Sequence, residues 1–161
     1  VITNRAKLII ITFFILLAGC YSGIHGKVVD EITGDPIEGA VVLVEWTKTY
    51  GLGLSYTKPH TVFEGLTNKD GMIFISSPFD PFLNPPRITI YKKGYVAWNN
   101  LYVFPDWAKR EDFVRDDFSI KLQRFTNNMS HKQHVYFLNT LTHYGKMMSL
   151  AYKWEELEKA Q

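Results

Sequence analysis

Cys20 is the only thiol in the 161-residue chain, and it stands directly after Leu17-Ala18-Gly19 at the end of an apolar run. A thiolate is a strong nucleophile and acyl acceptor. A single cysteine cannot close a disulfide within the chain, and in a secreted protein it would be left as an odd free thiol. Five histidines follow, His25, His60, His131, His134 and His143. His131 and His134 have a spacing that puts two imidazoles on one face of a helix. No cysteine or carboxylate completes a ligand set beside them, so the pair reads as polar surface rather than a metal centre. Trp98, Tyr102, Phe104 and Trp107 place four aromatic rings within ten residues, beside Asn99, Asn100 and Asp106. Aromatic faces next to amides stack on sugars or grip peptides, which makes Trp98, Asn99, Tyr102 and Trp107 the candidate ligand-binding residues. The competing reading is that these rings cap the end of a core, where most large aromatics are spent. Asp112, Asp116 and Asp117 flank Arg110 and Arg115, the pattern of a self-paired solvated loop without calcium-loop spacing. The chain has neither a Gly-x-Ser-x-Gly elbow nor a Gly-rich phosphate loop. The expectation is a protein that is not an enzyme, with no catalytic residue, metal or cofactor.

Upstream of Cys20, Arg5 and Lys7 make a positive region, and Leu8 to Leu17 form an apolar stretch broken only by Thr12. With the small residues before the cysteine, this order resembles the lipobox of a bacterial lipoprotein signal peptide. The resemblance implies that residues 1–19 are removed, that Cys20 becomes the first residue, and that its thiol carries a lipid. An ordinary secretory signal and an uncleaved membrane anchor are the alternatives. The apolar run falls short of the roughly 20 residues a span needs and fits a signal-peptide core better. Lipidation also accounts for the odd cysteine. The expected location is the cell envelope, tethered to a membrane face. In a Gram-negative cell the destination is the outer membrane, because Tyr21 and not aspartate follows the cysteine.

A leader of this kind changes the charge. Arg5 and Lys7 leave with it, and the basic residues that stay equal the 16 acidic ones. A neutral mature chain has no global electrostatic reason to bind nucleic acid. Its length suits one domain with a core that needs no disulfide.

The elements that would position these groups are mostly strands. Ile24 to Val29 is a short run ended by the turn residues Thr33-Gly34-Asp35-Pro36. Ala40 to Trp46 is nearly all apolar and reads as a central strand buried on both faces. Thr47 to Pro59, with Gly51, Gly53 and Pro59, reads as a long loop. Thr61 to Thr67 and Met72 to Ile75 flank Asn68-Lys69-Asp70-Gly71, a hairpin signal. Pro78, Pro81, Pro85 and Pro86 make residues 78–86 loop. Ile88 to Tyr91 is another strand, Val96 to Phe104 an interrupted one, and Phe118 to Leu122 alternates cleanly. From residue 127 the period becomes helical. Ser130 and Gln133 have capping-box spacing. Phe137, Leu141, Tyr144, Met148 and Ala151 share a stripe that Met147, Leu150, Trp154 and Leu157 widen, and no proline interrupts it. One amphipathic helix over 127–161 is the expectation, packed on the domain's own core, with a partner or a second copy of the chain as the alternative target.

The motifs Gly26-Lys27-Val28-Val29-Asp30, Thr33-Gly34-Asp35-Pro36-Ile37, Gly39-Ala40-Val41-Val42, Thr67 to Gly71 and Lys93-Gly94-Tyr95 follow one another in an order that resembles the carboxypeptidase regulatory-like domain, a transthyretin-like sandwich. The resemblance covers residues 24–95. It implies a mainly β, transthyretin-like β-sandwich, assigned to residues 20–126; residues 96–161 lie outside the match, and the C-terminal amphipathic α-helix rests on the helical period alone. It also implies a non-catalytic module that serves as scaffold, accessory subunit or binding unit. Collagen-adhesin B-type domains, which form a lysine–asparagine isopeptide bond, place their lysine where this chain has Val28. Lys27 is one residue off and would face away from the core. The expected role is a lipid-anchored envelope protein acting as a structural or accessory subunit with a protein partner. The alternative is a glycan- or peptide-binding module built on the aromatic loops.

Overall fold

The computed structural model describes residues 23–113 and 118–158, so the leader and Cys20 lie outside the described residues. Three strands, β1 (Gly23–Asp30), β4 (Met72–Ser76) and β9 (Phe118–Leu122), form a sheet in the order β4-β1-β9. A second sheet has the order β3-β2-β5-β6, from β2 (Val41–Tyr50), β3 (Tyr56–Leu66), β5 (Arg87–Tyr91) and β6 (Trp98–Asn99). The short strands β7 (Tyr102–Val103) and β8 (Ala108–Lys109) make a separate ribbon. Two helices follow, α1 (His131–Leu141) and α2 (Lys146–Glu158). The chain is thus mainly β, with two sheets facing each other and C-terminal helices. Among the described residues no helix is long and apolar enough to cross a membrane.

Strand alternation explains why there are three layers. Along β2, Val42, Val44 and Trp46 point into the space between the sheets, where they meet Ile24 and Val28 of β1, Ile88 and Ile90 of β5, and Ile120 and Leu122 of β9. Val41 and Leu43 point the other way, with Tyr91, onto Phe137, Leu138, Leu141, Met148 and Tyr152 of the helices. A strand buried on both faces must read as a continuous apolar run, as Ala40 to Trp46 nearly does. The helices therefore cover the sandwich's own second sheet. Lys27 is exposed on β1, on the side away from the core.

The turn between β3 and β4 shows why its residues are required. The Asn68 side chain accepts from the amides of Asp70 and Met72 at 3.0 and 2.8 Å. Gly71 has φ +72°, and a Cβ there would lie 2.4 Å from the Val28 carbonyl oxygen. Only glycine meets both conditions. At the same end, Asp30 accepts from the amides of Ile32 and Thr33, from the Tyr95 hydroxyl at 3.0 Å and from Arg124 Nε at 2.7 Å. The amide of Thr33, acting against burial and helped by the other donors, holds its carboxyl at about 2.

Two expectations are corrected. Residues 47–59 are not a loop: β2 runs on to Tyr50 and pairs with β3 as a long hairpin whose tip is residues 51–55. Pro59 is accommodated because the register shifts between Trp46 and Thr47, and β3 is an edge strand. The C-terminal segment is not one helix. Ser130 caps α1 by accepting from the Gln133 amide at 3.3 Å. That helix stops at Thr142, whose hydroxyl donates to the Leu138 carbonyl at 2.7 Å. A second N-terminus then forms at Lys146, where Glu64 of β3 accepts from the amides of Lys146, Met147 and Met148 at 2.9, 3.0 and 2.8 Å. Gly145 permits this approach, since a Cβ there would sit 2.8 Å from Glu64 Oε1 and 2.9 Å from Leu43 Cδ2.

Candidate functional site

The aromatic segment divides between inside and outside. β6 pairs with β5, so Trp98 lies opposite Ile90 and Asn99 opposite Thr89. Trp98 is only 8 % exposed, edge-on to Phe113 at 5.5 Å and covered by the Arg110 guanidinium at 4.8 Å. Asn99 is fully buried. Its amide nitrogen donates to the Ile88 carbonyl and the Thr89 hydroxyl, and its oxygen accepts from the amides of Leu101 and Tyr102. That amide is used up in turning the chain from β6 into β7. Tyr102 and Trp107 reach the surface, with ring centroids 5.8 Å apart, and Trp107 stands 6.0 Å from Tyr136 of α1. Trp107 adopts φ +63°, a conformation a bulky residue rarely takes. Packing against Phe137 at 4.8 Å holds it there.

His131 and His134 do share a helical face, but they are not both polar surface. His134 is fully buried. Its Nε2 accepts from the Ala97 amide at 2.8 Å, which leaves Nδ1 to carry the proton and donate to Glu155 Oε2 at 2.8 Å. His131 Nδ1 reaches the same oxygen at 3.1 Å. The Tyr91 hydroxyl donates to Glu155 Oε1 at 2.6 Å and accepts from Trp154 Nε1 at 2.8 Å. Burial pushes the Glu155 carboxyl up, but the hydrogen bonds from His134, Tyr91 and His131 prevail and hold it below the usual carboxylate range. Burial, with the bond to Glu155, pushes the Tyr91 phenol far above its ordinary value, so it acts as a fixed donor. Both nitrogens of His134 are in use within the protein. Among the described residues, no group of three or more histidines, cysteines, aspartates or glutamates could hold a metal.

The polar groups with unspent bonding capacity lie elsewhere. Glu45 and Arg87 sit opposite each other on β2 and β5 and line a cleft of about 220 Å³ with His143 and Tyr144. Glu45 is 5 % exposed, and its carboxyl faces the backbone amides of Tyr144 and His143 without a well-formed hydrogen bond, while Arg87 Nε has no partner among the described residues. The Arg87 NH1 group meets His143 Nδ1 at 3.3 Å. Burial pushes the Glu45 carboxyl above its ordinary range, against the pull of Arg87 and His143. A buried acceptor beside a buried donor suits a small polar group such as an amide or a hydroxyl. Sequence reasoning passed over this pair, although one acid inside the run Val41 to Trp46 was a signal available to it.

The raised Glu45 carboxyl has a stability consequence. Such a group favours the fold below the unfolded value of about 4.5, and that benefit is lost as pH rises through its folded value. Glu45→Gln is therefore expected to stabilise the protein by about 1 kcal/mol at pH 7.5 and to give no gain at pH 4. Urea unfolding at the two pH values checks this, and equal effects at both would show that the carboxyl does not ionise against the fold.

No protein family matches the sequence. No curated protein matches it. Among solved structures, the C-terminal domain of the shaft pilin SpaA from Lactobacillus rhamnosus GG is similar at 17 % identity and a TM-score of 0.34, over 65 % of this chain and 99 % of that one. A likeness at that level decides nothing about this chain.

Proposed function

We propose that this chain is a lipid-anchored, non-catalytic protein of the cell envelope, in which a transthyretin-like sandwich over residues 20–126 serves as a structural or accessory subunit. In this reading residues 1–19 are the signal peptide, Cys20 carries the lipid, and the outer membrane is the destination. The observation that supports a protein partner is the second face of α2. Its inner face, with Met148 and Tyr152, is closed against the sheet. Met147, Leu150 and Leu157 repeat at helical spacing on the outside, with Leu150 70 % and Leu157 75 % exposed. An apolar stripe left over after a helix has covered its own core suits a second protein.

The test is a membrane pull-down of the native protein, with the mass of its mature N-terminus and identification of what co-purifies. A diacylated or triacylated Cys20 and one stoichiometric partner are expected. Leu150→Glu with Leu157→Glu should abolish the partner while leaving the fold intact. Leu141 and Met148 cannot serve as probes, because both are core residues. Partner recovery unchanged in the double variant would refute the contact surface.

A second reading, a glycan- or peptide-binding module, is favoured by the held conformation of Trp107. It rests on Tyr102 and Trp107, and on Trp98 where it lines a cleft of about 380 Å³ with Arg110 and Asp112, whereas the amide of Asn99 is committed inside. Glycan binding that is lost in Trp107→Ala would favour it.

A further inference from the structure

The two sheets bring one set of loops to the pole where the described chain begins. Gly23, the first described residue, pairs with Ser76, the last residue of β4. Residues 77–86 lead from there to Arg87 of β5, which pairs with Glu45 of β2, and β2 continues outward into the hairpin tip. Tip and loop are tied together. Lys48 Nζ meets Asp80 Oδ2 at 2.8 Å, the Asn84 amide donates to the Thr47 carbonyl at 2.9 Å, and Lys48 bridges to Leu83. One pole therefore carries Gly23, residues 77–86 and residues 47–59.

This pole displays apolar side chains that lie outside the core, with Lys48 Nζ 5.4 Å from the Phe82 ring. Leu52 and Phe79 are fully exposed, Leu54 is 93 % exposed and Phe82 74 % exposed. Behind the tip, Tyr50 and Tyr56 stack at 5.7 Å, with Lys58 Nζ 5.1 Å from the Tyr56 ring. Single exposed apolar residues are ordinary, but here four large ones crown two linked loops above a level of tyrosine and lysine. That is the layering of a surface that dips into a bilayer: apolar tips in the acyl region, aromatic rings and lysines at the headgroups. Within residues 47–60 and 77–86 the acids are limited to Asp80, which Lys48 already neutralises, and Lys58 adds a positive charge.

We propose that this pole, with Leu52, Leu54, Phe79 and Phe82 at its crown, is a membrane-contact surface that lays the sandwich on a lipid bilayer containing anionic headgroups. The proposal rests on the lipid-anchor reading in one respect. Cys20 stands three residues before Gly23, and three residues span at most about 11 Å, so a lipid on Cys20 holds this pole, and not the opposite one at Lys69, against the membrane. One anchor and one apolar patch together give the two signals that stable attachment takes.

The experiment places an environment-sensitive dye on Leu52→Cys, on Phe79→Cys or, at the opposite pole, on Lys69→Cys. Each protein is purified as the full lipidated chain and reconstituted in phosphatidylethanolamine–phosphatidylglycerol vesicles. Blue-shifted emission quenched by brominated lipid is expected at 52 and 79 and not at 69. Lipidated Cys20 with unshifted probes at 52 and 79 would overturn the proposal and leave the anchor standing. If mass analysis finds Cys20 unmodified, the anchor reading falls. The pole then stands only if the probes still shift on adding vesicles, and it falls if they do not. Probes shielded by a co-purifying protein but not by lipid would also overturn it, identifying a protein face instead.

Discussion

Glu155→Ala is expected to destabilise the protein by about 2–4 kcal/mol, the cost of leaving two buried donors without an acceptor. The loss arises from what is left behind. The hydroxyl of Tyr91 and Nδ1–H of His134 both lose their acceptor in a space closed to water, and His131 loses a partner. His134 cannot turn to another partner, because its other nitrogen holds the Ala97 amide at 2.8 Å. Melting should fall by roughly 10 °C. Glu155→Gln should cost about half as much. It keeps an oxygen for His134, and its new amide donor faces a Tyr91 hydroxyl that can still accept. The two variants also separate in acid. A depressed carboxyl contributes stability above the unfolded value of about 4.5 and loses it as pH falls through the folded value. The wild type should therefore lose stability on acidification below about pH 4.5 more steeply than Glu155→Gln. Thermal unfolding of the three proteins between pH 3 and pH 7 checks this. Parallel acid limbs would show that the fold does not hold the Glu155 carboxyl below its ordinary range.

The same cluster explains what was legible in the sequence. His131 and His134 are three residues apart, and local spacing is enough to put them on one face. Their partner is 21 residues beyond His134 on another helix, and Tyr91 lies on a strand of the second sheet. Nothing local announces such a ligand. Ser130 as N-cap, Asn68 to Gly71 as a turn and Ala40 to Trp46 as a central strand were readable because each is decided within a few residues. The hairpin 47–59 was not, because it is pinned by cross-strand pairing in solvent, and its glycines and proline imitate a loop. Trp98 and Asn99 look like site residues in sequence. Their direction is set by a two-residue strand whose register comes from β5. Glu45 stands out as the one acid in its apolar run, but its neighbour Arg87 lies on another strand, and the break between the helices depends on an acceptor on β3.

That acceptor sets the second large effect. Glu64→Ala is expected to cost about 2–3 kcal/mol, because three amides at the N-terminus of α2 lose a charged cap along with its interaction with the helix dipole. An ordinary cap serves its own helix from the preceding residue. This one reaches from a strand 82 residues away in sequence and so fixes where α2 begins against the sheet. The loss should be local. Amide hydrogen exchange is expected to accelerate at Met148 and along α2, while the amides of Val42 and Val44 in the sandwich keep their protection. Glu64→Gln should retain about half of the stabilisation, since one oxygen still accepts. The outer stripe of α2 is held in place by the same cap, so partner binding through Leu150 and Leu157 should weaken together with the exchange protection. Uniform acceleration across both sheets would mean that helix and sandwich unfold as one unit, and that Glu64 secures the whole domain rather than the seat of one helix.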